Sequence, residues 1–426
     1  MIPTTSNFEP GHEYVFISKS IAEKSSIVLA NIQSVRAANL HVAIKNVVLL
    51  YQFEVKYMQL AATYVTVLMT IGMRSQALRA LLLHALALCQ GVNLKWVTDP
   101  DLAFHVLKST ADKGEMIEAR LALPAWSPVV SLESVNGEQW RRMKTQFTKL
   151  IQVLQPISQL TTIFETRGHN LLKSNTVIDA LKLNELSVAS FYEWVFEREF
   201  DSEKFAEICQ ATWEWRKQIA LKGFADCGVK KRTIEWCVEE IRRTPRLYDL
   251  FGEKWAEPEY YSLILQPFVL SPAINLTDVA VVIKEWVKTT PATEPITPEI
   301  IRQCVCSAHP FPVVERYFPF GDDALDIAPN THVLIPLDEM AGDAFAAGVD
   351  LTFGAGSRVC VGRHMAMKVM VGLFTDCMVR SDKFQPRLNH KYSGRHNDGE
   401  ETSKEPFADA QKHADCNRNG QSNTEK

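Results

Sequence analysis

The residues best suited to chemistry lie in one stretch, Phe353-Gly354-Ala355-Gly356-Ser357-Arg358-Val359-Cys360-Val361-Gly362-Arg363. Cys360 can supply a sulfur, which ligates metal as the thiolate. Gly354 and Gly356 let the backbone turn tightly, and Gly362 lets amide N–H groups approach the sulfur. Such hydrogen bonds tune a thiolate-ligated iron. Arg358 is a permanent cation with the reach needed for a haem propionate. Met365 to Met370 would start a helix whose positive N-terminal end faces the thiolate. Together these residues meet the needs of a cysteine thiolate bound to haem iron. The plainer alternative is a buried thiol, a common fate for free cysteine.

Cys360 and its neighbours resemble the ligand signature of the cytochrome P450 family, Phe-x-x-Gly-x-Arg-x-Cys-x-Gly. Phe353, Gly356, Arg358, Cys360 and Gly362 match its five fixed positions. The resemblance implies a mostly α (α+β) fold, a helical haem domain with small β-sheets. It also implies that Cys360 is the axial ligand, that Phe353 shields the sulfur and that Arg358 holds a propionate.

Three further constellations extend it. Trp140-Arg141-Arg142-Met143-Lys144 resembles the family's Trp-x-x-x-Arg helix, whose ends reach the propionates; Lys144 stands where arginine is usual and lacks its bidentate fork, and Arg141 and Arg142 are the alternatives. Glu299-Ile300-Ile301-Arg302 is similar to the Glu-x-x-Arg pair that braces the structure beneath the haem. Glu239 with Arg242 and Glu240 with Arg243 have the same spacing. Glu299 and Arg302 are preferred because a proline-containing segment, Ala308 to Arg316, follows them. Pro272-Ala273-Ile274-Asn275-Leu276-Thr277-Asp278 lies where the oxygen-side helix should run. The family's acid and alcohol there relay protons for O–O cleavage. Ala273 and Thr277 fit, Leu276 replaces the acid, and Asp278 would point about 100° round the helix. Asn275 can bind oxygen but cannot deliver a proton as an acid does.

Three departures stand beside the matches. Only 22 positions separate Thr277 from Glu299. No Arg or Lys occurs from Tyr317 to Ser357, where the family places an arginine beside the Glu-x-x-Arg pair. The chain after the ligand helix turns polar early.

The elements that must position these residues are legible in outline. Val92 to Val97 reads as a strand, and Thr98-Asp99-Pro100 as a helix start. Residues 138–250 are mostly helical by periodicity. Tyr260 to Trp286 is a long apolar segment interrupted by Pro267 and Pro272. Thr297 and Pro298 open another helix, and 310–336 reads as short strand and turn pieces. The expected organisation is an unassigned segment at 1–56, a membrane-anchor candidate and first helix at 57–90, a catalytic domain at 91–384 and a polar, disordered tail at 385–426.

Composition bounds the rest. The chain has 426 residues, 46% hydrophobic and 23% charged, as a globular protein does. A net charge of -4 argues against a general nucleic-acid binder. Nine cysteines without CxxC pairs predict reduced thiols in a cytosol-facing protein. Cys304 and Cys306 lack a zinc spacing and should pack in a core. No ordinary signal peptide is expected. Tyr57 to Met73, 17 residues without charge, is either a bilayer span or a buried helix. As a span, with Arg74 and Arg79 following, it would put the catalytic domain on the cytosolic face of the endoplasmic reticulum membrane; otherwise the protein is soluble and cytoplasmic.

The resemblance implies a monooxygenase that inserts one atom of O2 into a lipophilic small molecule, in a setting such as secondary metabolism. Haem would be its cofactor, and NADPH would supply electrons through a reductase. The other readings are a haem-thiolate isomerase, lyase or peroxide-using enzyme, and a non-catalytic haem binder.

Overall fold

The computed structural model describes residues 79–386, apart from 82, 85–86, 88–90, 111, 115, 117–122, 175, 221–224 and 310–312. The segment 1–56, the apolar run 57–73 and nearly all of the tail lie outside the described residues. Among the described residues the fold is mostly helical with one three-stranded sheet.

Strand β1 (Asn93–Trp96) leads into helix α1 (Pro100–Ser109). The carboxylate of Asp99 caps that helix by accepting from Leu102 N at 2.7 Å, and Pro100 fills the first turn, where a missing N–H costs nothing. Helices α2 (Gly137–Val153), α3 (Ile157–Lys173), α4 (Ala180–Phe196), α5 (Ala206–Ile219) and α6 (Cys227–Arg242) follow. A continuous helix, α7, runs from Pro258 to Thr289. Then come α8 (Pro298–Ser307), β2 (Val314–Phe318), β3 (Thr331–Ile335), α9 (Leu337–Ala346) and α10 (Arg363–Leu373). In the sheet β3 is central, parallel to β1 and antiparallel to β2. All five β3 residues are buried, as a central strand covered on both faces requires.

Pro267 and Pro272 do not interrupt α7. Leu265–Leu270 forms a π-helical turn, and Pro272 lies in the first turn of the α-helical stretch after it. The wider turn absorbs the missing donors and ring clashes that would break a regular helix. By length and composition α7 could cross a membrane, yet 61% of its most apolar window is buried within the fold. It is the centre of the main core. There Phe268 meets Phe147 and Phe191 at 5.9 Å and Trp194 at 5.6 Å between ring centroids.

Two apolar clusters matter for the cysteine stretch. The helices build the larger one, and Phe353 packs against it. The sheet, α1 and α9 build the other, which takes in Leu351 and Ala355. Alternate residues of 351–355 therefore anchor in different cores, so the loop leading to Cys360 is fixed from both sides. Among the described cysteines Cys304 and Cys306 are buried as expected. Cys227 departs from the expectation of reduced thiols, because it is disulfide-bonded.

Candidate functional site: the Cys360 loop

Gly354 and Gly356 have φ of +71° and +69°, the left-handed region where a side chain is strained. Gly354 N donates to Leu351 O at 3.0 Å, Val359 N to Gly356 O at 3.2 Å, and Cys360 N to Phe353 O at 2.8 Å. Gly356 also presses on the end of α1. A Cβ there would lie 2.6 Å from Leu107 O and 2.8 Å from Lys108 Cα, both backbone atoms. Gly356→Ala is therefore expected to cost about 2–4 kcal/mol of stability, read as a lowered urea midpoint.

Gly362 is the N-cap residue of α10. The backbone N–H groups of Gly362 and Arg363 favour negative charge on the Cys360 sulfur, and Arg363 N donates to Cys360 O at 3.3 Å. Burial raises the thiol to about 11, the Glu133 carboxylate adds to the rise, and the Gly362 N–H and the Arg363 charge and N–H oppose it. The thiol is thus protonated at neutral pH in the haem-free chain, and a metal must displace that proton. In haem-free protein the alkylation of Cys360 by iodoacetamide should be slow at pH 7 and accelerate as pH climbs toward 11. Peptide mass spectrometry would follow it, and rapid labelling at neutral pH would contradict this setting.

The structure gathers Arg358, Trp140 and Lys144 in one place. The Arg358 guanidinium lies 4.3 Å from the Trp140 ring centroid, and Lys144 Nζ lies 4.9 Å from it. Lys144 Nζ also donates to Ser357 O at 2.8 Å. Arg358 is buried and donates to Leu132 O at 3.3 Å, Val135 O at 2.7 Å and Asn136 Oδ1 at 2.7 Å. The loop it holds hangs in turn from α7. Val130 N donates to Ser262 Oγ at 2.9 Å, Leu132 N to Gln266 Oε1 at 2.6 Å, and Gln266 Nε2 to Ser131 Oγ at 3.0 Å. One chain of hydrogen bonds therefore joins the π-turn of α7 to the cysteine loop. Gln266, Asn136 and Glu133 carry no motif, and only the fold brings them here.

The brace beneath the loop differs from the expected one. No ion pair joins Glu299 to Arg302 among the described residues. Glu299 is exposed, and Arg302 turns to Asp350 at 3.8 Å. Asp350 is the more favourable partner because its Oδ1 also accepts from Thr352 N at 3.0 Å and from Thr352 Oγ1. Thr352 Oγ1 lies 2.6 Å from Cys306 Sγ on α8. Arg302 and Cys306 thus tie α8 to the entry of the cysteine loop.

On α7, Thr277 is buried and its hydroxyl donates to Ala273 O at 2.8 Å. Asn275 and Asp278 are half-buried. Asp278, one residue round the helix from Thr277, acts electrostatically on Arg216 of α5. The alcohol and the acid of the expected relay therefore address different neighbours.

Behind the loop lies a cavity of about 570 Å³ lined by Phe353, Lys108, Arg302, Arg363, His364 and Lys368 with Asp350. A larger one, about 960 Å³, opens between α3, α8 and α10.

No family model and no curated protein matches the chain. Solved structures do match, and those compared are cytochromes P450. CYP175A1 from Thermus thermophilus is 16% identical, with a TM-score of 0.46, over 67% of this chain and 80% of its own. A mutant of P450 EryK in complex with erythromycin B is 16% identical, with a TM-score of 0.48, over 71% and 88%. CYP109Q5 from Chondromyces apiculatus is 16% identical, with a TM-score of 0.49, over 67% and 81%. Overlaps of this size leave the reading of the site to its own geometry.

Proposed function

We propose that the chain is a haem-thiolate enzyme of the cytochrome P450 type, a monooxygenase acting on a lipophilic small molecule. The observation that carries this is the Cys360 sulfur, facing two backbone N–H groups at the start of α10, with Arg358, Trp140 and Lys144 gathered beside the same loop. The donor set fits haem. The sulfur would ligate the iron, and two cations with an indole would take the carboxylates. When bound, thiolate-ligated haem supplies dioxygen activation by O–O cleavage.

The chain's own residues have distinct tasks. The N–H groups of Gly362 and Arg363 stabilise negative charge on sulfur. Phe353, packed against the main core, is assigned the shielding of the sulfur. Arg358 and Lys144 tie the loop to α2 and the 130–136 segment. Thr277, with Asp278 and Asn275 nearby, is the candidate proton carrier on α7. The basic side chains of Lys108, Arg363 and Lys368, beside Arg302 paired with Asp350, suit an acidic electron donor, such as an NADPH-dependent reductase.

A peroxide-using chemistry is the second reading, favoured by the Thr277 hydroxyl being bonded back to its own helix while Asp278 addresses Arg216. Substrate-dependent oxidation with reductase, NADPH and O2 supports the monooxygenase. Oxidation with hydrogen peroxide alone, and none with NADPH and reductase, supports the other. Tyr57–Met73 decides location in this proposal. A span anchors the protein on the cytosolic face of the endoplasmic reticulum, a buried helix leaves it in the cytoplasm, and carbonate extraction of the expressed chain separates the two.

A further inference from the structure

Gln266 lies in the π-helical turn of α7 and is 7% exposed. A primary amide in an apolar core is costly unless its hydrogen bonds are made. Here they are made to a single segment. Gln266 Oε1 accepts from Leu132 N at 2.6 Å, and Gln266 Nε2 donates to Ser131 Oγ at 3.0 Å. Ser262, four residues earlier on the same helix face, accepts from Val130 N at 2.9 Å. Ser131 and Ser262 are fully buried. One amide therefore holds both the backbone and a side chain of the 130–136 segment.

From that segment two routes reach Cys360. In the first, Leu132 O accepts from Arg358 Nη1 at 3.3 Å and Val135 O accepts from Arg358 Nη2 at 2.7 Å, and Arg358 stands two residues before the cysteine. In the second, Ser131 Oγ also accepts from Glu133 N at 3.2 Å, which fixes the residue whose carboxylate acts on the Cys360 sulfur. Both routes begin at Gln266.

We infer that Gln266 is a positioning residue for the sulfur ligand: through this one amide, α7 sets where the Cys360 sulfur lies and which charges surround it. For its catalytic meaning this rests on the haem-thiolate reading, but the positioning is a property of the chain itself. A π-turn suits the task, because it widens the helix where the amide leaves it, and such turns gather at functional positions. Hydrogen bonds one layer out from a metal ligand orient that ligand and tune its basicity.

Four full-length variants test it. Gln266→Leu keeps the bulk and removes both bonds. Gln266→Glu keeps an acceptor for Leu132 N and for the Ser131 hydroxyl. Ile283→Ala, at a fully buried position of α7 with no bond to the 130–136 segment among the described residues, controls for lost stability. In the haem-free chain at pH 7, iodoacetamide should label Cys360 several-fold faster in Gln266→Leu than in wild type, with Gln266→Glu close to wild type. In the haem-loaded protein, the reduced carbon monoxide spectrum of Gln266→Leu should move at least half of its intensity from the thiolate-type to the thiol-type band. Gln266→Glu should restore the thiolate band, and Ile283→Ala should keep it. If Gln266→Leu fails to fold, Ser131→Ala cuts the branch to Glu133, leaves Leu132 N paired and should speed the labelling by a smaller factor. A labelling rate that neither Gln266→Leu nor Ser131→Ala changes, or an equal change in Ile283→Ala at matched stability, would overturn the inference. The labelling does not depend on iron chemistry. A wild type without a thiolate band would remove the haem reading and leave Gln266 to be decided by labelling, whereas unchanged labelling beside a thiolate band would remove only this inference.

Discussion

Arg358→Ala is expected to cost about 3–5 kcal/mol of folding stability and to lower haem retention well beyond that loss. The side chain is buried and serves Leu132 O, Val135 O and Asn136 Oδ1 at once. Its removal leaves buried acceptors unpaired and takes the cation from the Trp140 face, 4.3 Å away. It also unties the cysteine loop from the 130–136 segment, so Cys360 loses part of what orients it. Arg358→Lys keeps the charge but offers one nitrogen for three acceptors and should rescue only in part. Urea unfolding reads the stability, and the haem absorbance per chain after gel filtration reads the retention. Full haem loading in a folded Arg358→Ala protein would contradict the role given to this residue.

Phe268→Ala should destabilise the fold by a similar amount, about 3–5 kcal/mol, for a different reason. Phe268 is fully buried in the π-turn, and its ring touches those of Phe147, Phe191 and Trp194. Alanine would open a cavity among three rings that cannot collapse together. Phe268→Leu fills most of it and should recover more than half of the loss. The same turn carries Gln266, which holds Leu132 N, so faster amide exchange at Leu132 should accompany the alanine variant. The two variants separate packing from ligation. At matched stability loss, Arg358→Ala should shed more haem than Phe268→Ala.

The parts of this molecule that sequence reveals are those whose physics is local. The turns at Gly354 and Gly356, the Asp99 cap and the strand at 93–96 all follow from neighbouring residues. The grouping of Arg358 with Trp140 and Lys144 is legible only through the resemblance to the family's two motifs, and spacing alone does not separate Lys144 from Arg141 and Arg142. The failures are long-range. Arg302 pairs with Asp350 rather than Glu299, because Asp350 is itself held by Thr352 and the i,i+3 carboxylate faces solvent. Gln266 meets Leu132 across 134 positions, and no spacing announces it. Pro267 and Pro272 suggest a break, but the π-turn accommodates them. The electrostatic action of Glu133 on Cys360 and of Asp278 on Arg216 is likewise a product of packing between distant segments.

The most direct test of the central claim is the carbon monoxide difference spectrum of the reduced, haem-loaded protein, recorded beside Cys360→Ala. Wild type should show the red-shifted Soret band of thiolate-ligated haem, and Cys360→Ala should lose it. A thiolate-type band that persists in Cys360→Ala, or its absence from haem-loaded wild type, would contradict the assignment of Cys360 as the iron ligand.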